Sequence, residues 1–277
     1  MMISLCNEVL RELDFPAQCA LAKSLGYDGL EIAPFTLADQ PDRLSAASRA
    51  ELRKIAEDQG VAITGLHYLL LAPPGLSITS PDAEVRRRTV DVMRALIGLC
   101  ADLGGTVLVH GSPAQRRVAP GQSQAEALEN ANACFAAIAE DAEAAGVLYC
   151  IEPLAAPDAE LINTVADAAA IVDEIGSPAV RTMIDTCAAG RSERLPIPKL
   201  IEHWLPTGKV AHIHLNDPNR RAPGQGDLRF GPILTALRRH GYAGVCSVEP
   251  FVYEPDGPTC TARAIGYVRG LLEEQTA

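Results

Sequence analysis

The feature that most constrains the fold is an eightfold alternation of short apolar segments with longer amphipathic ones. The apolar segments have the length of β-strands and lie at residues 2–7, 29–33, 61–68, 106–110, 147–152, 180–185, 210–216 and 245–249. The others have helical periodicity and lie at 15–25, 45–59, 81–103, 123–145, 164–175, 198–204, 230–240 and 260–274. Six are followed by a glycine, a common helix stop: Gly26, Gly60, Gly104, Gly146, Gly176 and Gly241.

The strands are apolar along almost their whole length, which is typical of a parallel sheet covered on both faces. Eight strand–helix units in 277 residues give about 35 residues per unit, the size found in closed barrels. The rival fold, a doubly wound open sheet, would usually carry a glycine-rich phosphate turn after its first strand. No such turn follows residues 2–7. We therefore predict an α/β fold, a single (β/α)8 TIM barrel, with residues 1–277 as one domain.

Composition narrows the functional classes. A net charge of -11 opposes binding to nucleic acid, and no apolar run has the length of a membrane span. The first residues have no basic region before an apolar stretch, so a signal peptide is not predicted and we expect a cytoplasmic protein. The eight cysteines include no C-x-x-C pair, and we expect buried thiols rather than disulfides.

Four residues of metal-ligand type end four consecutive predicted strands. Glu152, Asp185, His214 and Glu249 are separated by 33, 29 and 35 residues, about one strand–helix unit each. In this fold the carboxyl ends of the strands form the active-site face, so the four side chains should meet. Three carboxylates there would repel each other unless a cation were bound. An oxygen-rich set favours Mn²⁺, Mg²⁺ or Co²⁺ over structural Zn²⁺. The alternative is that these acids cap neighbouring helices or pair with arginines.

Four other polar residues lie near the same strand ends. Period-two alternation puts His212 on the same side of its strand as His214 but deeper, so we expect it to pack beneath the site. His67 and His110 end the third and fourth strands and could contact substrate or serve as packing histidines. Glu31, near the end of the second strand, has the same alternatives.

The chain resembles the sugar isomerase/epimerase family with a xylose isomerase-like barrel. The ketose 3-epimerases are the most similar in pattern, with the hydroxypyruvate isomerases nearby. The motifs that carry the resemblance are Ile151-Glu152-Pro153-Leu154, Asn163-Thr164, Ile184-Asp185-Thr186, His212-Ile213-His214, the segment 219–226, and Val248-Glu249-Pro250-Phe251-Val252. Together they span most of the chain.

The resemblance implies that Glu152, Asp185, His214 and Glu249 hold one divalent metal ion. It implies further that Glu152 and Glu249 exchange a proton at the carbon beside the substrate carbonyl, through a metal-stabilised enediolate. It assigns Arg220 to substrate oxygens and Asp158 to the sugar. Carbohydrate isomerisation or epimerisation that depends on one divalent metal ion, Mn²⁺, Mg²⁺ or Co²⁺, follows as the expected activity.

One position departs from the ketose 3-epimerase pattern. Where those enzymes carry Asp-Thr-Phe-His, this chain has Asp185-Thr186-Cys187-Ala188, and alanine cannot donate the hydrogen bond of that histidine. The substrate would then differ in shape or charge. Basic residues nearby would allow an acidic or phosphorylated substrate: Arg191, Arg194, Arg220 and Arg221. For Arg191 and Arg194 the plainer interpretation is solvated surface.

Three other functions use a similar barrel. A dehydratase of an inosose or keto acid would use the same metal and one of the same bases. An abasic-site endonuclease would need more histidine ligands than six histidines supply, and the charge opposes it. A non-catalytic binding protein would have no need for the four-ligand set. We expect a small carbohydrate as the partner, no nucleic acid or membrane, and a homo-oligomer, dimer or tetramer, as in the relatives.

Overall fold

Eight parallel strands close into a barrel in the computed structural model, which describes residues 1–274. The strands pair in chain order, and β8 pairs with β1 to close the ring. Their bounds are β1 Met2–Cys6, β2 Gly29–Ile32, β3 Ala62–Leu66, β4 Val107–His110, β5 Leu148–Ile151, β6 Val180–Asp185, β7 Val210–Leu215 and β8 Val245–Val248. This arrangement confirms the predicted (β/α)8 TIM barrel.

Helices surround the strands. They are α1 Phe15–Leu25, α2 Ala46–Asp58, α3 Ala83–Leu103, α4 Gln124–Ala136, α5 Ala139–Ala145, α6 Val165–Ile175, α7 Thr186–Ser192, α8 Ile197–Trp204, α9 Phe230–Arg239 and α10 Gly257–Glu274. Capping side chains fix where α2 and α6 begin: Ser45 and Thr164 each accept a hydrogen bond from a backbone N–H in the first turn of the helix that follows. Gly104 and Gly146 end α3 and α5 in the left-handed conformation.

Two helical features differ from the sequence prediction. The single helix expected at 123–145 is divided at Ile138, whose backbone leaves the helical region, into α4 and α5. A short helix, α7, follows β6 directly and was not predicted. It has no amphipathic period to detect, and it begins where the Asp185 side chain accepts a hydrogen bond from Ala188 N.

The strand register shifts at two places next to predicted site residues. The pairing of β2 with β3 shifts between Leu30 and Glu31, and that of β6 with β7 shifts between Thr182 and Met183. Such irregularities re-aim the side chains that follow them. They precede Glu31 and Asp185, two buried carboxylates of the barrel.

The strands are buried on both faces, as β4 shows with all four of its residues buried. This burial explains their continuous apolar character. All eight cysteines are buried and unpaired, as expected. No helix within residues 1–274 has the length and apolar character needed to cross a membrane.

Candidate active site

A cavity of about 240 Å³ opens at the carboxyl ends of the strands. Glu152, Asp185 and Glu249 line its inner part, directly after β5, at the end of β6 and directly after β8. Residues from the following loops and from α7 build the rest: Tyr68, Gly111, Pro113, Arg117, Leu154, Pro157, Asp158, Cys187, Ala188, Arg191, Arg220 and Phe251. The cavity therefore lies where this fold places its active sites.

The structure brings the four predicted metal ligands together. One ligand atom from each of Glu152, Asp185, His214 and Glu249 lies within 4.8 Å of the other three. All four residues are buried, with His214 fully enclosed and Glu152 the most exposed at 5%. Groups this close can share one cation, so the spacing along the chain translates into the expected cluster.

Burial and mutual repulsion raise the pKa values of two carboxylates in this cluster. Burial, with the nearby Glu249 and Asp185 carboxylates, raises the pKa of Glu152 to about 8. Burial and Glu249 likewise raise the pKa of Asp185 to about 6. The ionised carboxylates are therefore poorly stabilised by the protein alone. The donor set of three carboxylates and one imidazole fits a hard divalent cation, whose charge would offset this repulsion.

His214 is held between two carboxylates. Its Nδ1 lies 2.9 Å from Glu249 Oε2, and its Nε2 lies 3.0 Å from Glu31 Oε1. Although burial lowers it, the pKa of His214 is raised well above its usual value by Glu249 and Glu31. The ring is thus oriented with Nδ1 toward the candidate ligands and Nε2 toward the barrel interior.

Glu31 forms a layer beneath the candidate ligands. It is fully buried, accepts a hydrogen bond from Ser247 Oγ, and has its Oε2 2.8 Å from His212 Nε2. Burial would raise the pKa of Glu31, but the charges of His212 and His214 hold it well below its usual range. His212 packs beneath the site, as predicted, and Glu31 contacts the candidate ligand His214 rather than the cavity.

Asp185 also caps a helix, which was the alternative interpretation of the strand-end acids. Its Oδ1 accepts a 2.6 Å hydrogen bond from Ala188 N at the start of α7. Its Oδ2 accepts a 2.7 Å bond from Asn216 Nδ2. A carboxylate oxygen has two lone pairs, so these bonds fix the Asp185 carboxylate while leaving each oxygen able to approach a cation.

The two residues expected to contact substrate through the resemblance line the cavity. Arg220 adopts a positive φ of 69° and places its guanidinium 5.0 Å from the Phe251 ring centre. Its carbonyl accepts hydrogen bonds from the backbone of Phe251 and Val252, which fixes this turn. Asp158 also lines the cavity, but its Oδ2 is bound by Arg191 Nη1 at 2.5 Å.

His67 and His110 do not belong to the cavity lining. Both are fully buried, with His67 Nε2 2.7 Å from Glu8 Oε2 and His110 Nδ1 2.7 Å from the Tyr149 hydroxyl. Burial would lower the pKa of His67, but Glu8 raises it to about 9. These contacts match the packing alternative, and the predicted substrate role gains no support from them.

Sequence reasoning missed several residues that shape the site. Arg116 is fully buried and donates to the carbonyls of Glu152 and His110 at 2.8 Å each. A Cβ at Gly111 would overlap the Glu152 carboxylate, so only glycine fits there. A glycine directly after a strand-end histidine was the available signal for Gly111. Nothing in the local pattern distinguishes Arg116 from the neighbouring Arg117.

Comparison with known proteins decides the family. Residues 19–271 match the model of the xylose isomerase-like TIM barrel family. The chain belongs to this family. Among its xylose isomerase-like relatives, the L-ribulose 3-epimerase of Mesorhizobium japonicum is 29% identical over 245 residues, which cover 86% of this chain and 78% of the relative. The fructoselysine 3-epimerase of Escherichia coli O157:H7 is 24% identical over 264 residues, which cover 91% and 92%.

Solved structures of the family share the fold. A crystal structure of D-psicose 3-epimerase superposes with a TM-score of 0.83 at 22% identity, over 98% of this chain and 99% of the other. The family match and the relatives of similar sequence confirm the predicted resemblance. Since the relatives are named epimerases, this chain is an enzyme of the isomerase and epimerase class, as predicted.

Proposed function

We propose that this enzyme epimerises a small hydroxy-carbonyl carbohydrate by proton transfer, with one divalent metal ion held by Glu152, Asp185, His214 and Glu249. The observation that carries the proposal is the approach of these four ligand atoms to within 4.8 Å of one another at a cavity. Relatives named as 3-epimerases of ketoses favour epimerisation over the other reactions that such a site supports.

The two glutamates supply the proton transfer. Glu152 and Glu249 follow β5 and β8, so they reach the cavity from different parts of the ring. One carboxylate removes the proton from the carbon beside the carbonyl, and the other, in its acid form, returns a proton to the opposite face. No electrons are gained or lost, and the product has the mass of the substrate. When bound, a divalent cation would stabilise the negative charge that develops on the substrate oxygens.

The remaining residues orient the substrate and the bases. Arg220, fixed by its backbone contacts and by the Phe251 ring, is placed to bind substrate oxygens. Arg116 holds the Glu152 backbone from beneath. Ala188 lines the cavity where the ketose 3-epimerase pattern has a histidine, so a free ketohexose would lack one hydrogen bond here.

Proton exchange in D2O tests the proposal. The protein loaded with Mn²⁺, Mg²⁺ or Co²⁺ is incubated with a panel of ketoses, and deuterium is located by NMR. We expect deuterium only at C3, with inversion at that carbon. Aldose formation with deuterium at C2 of the aldose would indicate isomerisation, and a product lighter by one water would indicate the dehydratase alternative.

Paired variants assign the bases. We expect Glu152→Gln and Glu249→Gln each to lower turnover by about a thousandfold or more, because each removes one of two proton carriers. Glu126→Gln, a change of the same kind on the exposed face of α4, serves as the control and should leave turnover unchanged. Full turnover in Glu152→Gln would contradict the mechanism.

A further inference from the structure

Arginine side chains line the loop-built part of the cavity. Arg117 follows the turn Pro113–Arg116, Arg191 lies on α7, and Arg220 lies in the loop after β7. Arg194, the other nearby arginine of this segment, is exposed and is not part of the lining. The surface interpretation therefore suits Arg194, while Arg191 belongs to the cavity.

Two of these arginines are not neutralised by an acidic partner within residues 1–274. Arg220 contacts the Phe251 ring, and the Arg117 side chain is exposed at the cavity. Some arginines elsewhere on this acidic surface are ion-paired, as Arg49, Arg87 and Arg94 are. Unpaired arginines in a cavity of a protein with a net charge of -11 are available to bind an anion.

The third arginine, Arg191, is paired with Asp158. Arg191 Nη1 binds Asp158 Oδ2 at 2.5 Å, and this bond raises the pKa of Arg191. The bond uses one oxygen of Asp158 and one nitrogen of Arg191, so Asp158 orients Arg191 at the cavity while the other guanidinium N–H groups of Arg191 can still bind an anion. Beside the pair, Ala188 presents only a methyl group to the cavity.

The charges of the lining favour an anionic ligand once the cation is bound. Four carboxylates line the cavity, Glu152, Asp158, Asp185 and Glu249, against Arg117, Arg191 and Arg220. A divalent cation makes the total positive, and the excess lies on the arginine side. A neutral sugar would leave this charge uncompensated, and a substrate with a cationic arm would be repelled.

We propose that the substrate carries an anionic group, a carboxylate or a phosphate, which Arg117 and Arg191 bind while its hydroxy-carbonyl end faces the candidate metal ligands. This inference rests on the proposed function for the reacting end only. The two sources of the anion share one chemistry, because guanidinium groups bind carboxylates and phosphates through the same paired N–H donors.

The test compares ketoses that differ in one arm. D-Fructose, D-fructose 6-phosphate and D-fructuronate share a carbon chain and end in a hydroxyl, a phosphate and a carboxylate. The same set is prepared for D-tagatose and the other 2-hexuloses. Binding to the Mn²⁺-loaded protein is measured by calorimetry, and proton exchange at C3 by NMR in D2O. We expect one anionic form to bind at least about tenfold more tightly than its neutral parent; which form it is identifies the group.

Three variants should change the affinity for the anionic form, two of them lowering it and one raising it. Arg117→Gln and Arg191→Gln should each weaken binding of the anionic form by about tenfold and change binding of the neutral form by less than about twofold. Asp158→Asn should strengthen binding of the anionic form, because it frees Arg191. A sugar-contact role for Asp158 would instead weaken binding of both forms. Arg194→Gln is the control and should change neither.

The outcomes separate this inference from the proposed function. Equal binding of neutral and anionic forms throughout the panel, or equal losses for both forms in the arginine variants, would overturn the inference, even if exchange at C3 is observed. Preferential, Arg117-dependent binding of an anionic form without exchange at C3 would support the inference and overturn the proposed epimerisation.

Discussion

Replacing Glu31 by glutamine removes one negative charge beneath the candidate metal site and keeps the side-chain shape. Glu31 is fully buried, and its Oε1 faces His214 Nε2 at 3.0 Å. As an anion it accepts the Nε2 hydrogen and so leaves His214 Nδ1, on the side of Glu249, free for a cation. Glutamine can accept the same bond, but without the charge.

The magnitude follows from that bond. A hydrogen bond to a charged group contributes about 1.5–3 kcal/mol and a neutral one about 0.5–1.5 kcal/mol. The difference of about 1–1.5 kcal/mol corresponds to a factor of about 5–13 in a dissociation constant. Residues that orient metal-ligating histidines generally change metal affinity by about 10–100-fold. We therefore expect Glu31→Gln to weaken Mn²⁺ binding by at least about tenfold.

Calorimetric titration of the metal-free protein with Mn²⁺ measures this effect. Titrations at alkaline pH limit competition from the proton that Glu249 and Glu31 stabilise on His214, since these carboxylates raise its pKa. Glu8→Gln is the matched control, because Glu8 is also a buried carboxylate bonded to a histidine, His67, but makes no hydrogen bond to His214. It should change the affinity by less than about threefold. Unchanged affinity in Glu31→Gln, or an equal loss in both variants, would show that Glu31 does not support the metal site through His214.

Three further predictions concern the same site. Because burial raises the pKa of Glu152 to about 8, Mn²⁺ affinity should rise from about pH 6 to about pH 8. The metal-free protein should lose thermal stability over that range, since the folded state binds the proton of Glu152 more tightly than the unfolded chain does. In calorimetric scans, saturating Mn²⁺ should abolish this loss. Gly111→Ala should weaken Mn²⁺ binding by about tenfold or more by displacing Glu152, whereas Gly266→Ala, with open space around the added methyl, should not; calorimetry decides. Arg116→Met should lower the free energy of unfolding by about 2–4 kcal/mol in urea denaturation, because it removes the bond to the buried Glu152 carbonyl and one of two bonds to the His110 carbonyl, and Arg117→Met should leave it nearly unchanged.

The sequence predicts the barrel and the cluster for the same reason, which is periodicity. Buried parallel strands are apolar throughout, and polar residues that interrupt them at their ends are conspicuous. When such residues are separated by one strand–helix unit, each lies at the carboxyl end of its strand and therefore on the same face of the barrel. The positions of Glu152, Asp185, His214 and Glu249 could therefore be predicted without knowledge of any contact.

The contact of Glu31 with His214 and the pairing within the cavity wall could not be predicted in this way. Glu31 reaches His214 across the barrel, 183 residues away in the sequence, and the register shift before Glu31 leaves no trace in the local pattern. The pairing of Asp158 with Arg191 depends on how a loop after β5 meets α7, a helix too short to have an amphipathic period. His67 and His110 end their strands as expected, but partners within the barrel keep them from the cavity.

Anomalous scattering from a crystal of the Mn²⁺-loaded protein tests the central claim most directly. We expect one manganese peak bonded to Glu152, Asp185, His214 and Glu249, with His214 bound through Nδ1. A peak elsewhere, such as between Glu31 and His67, or no peak in crystals grown at saturating Mn²⁺, would contradict it.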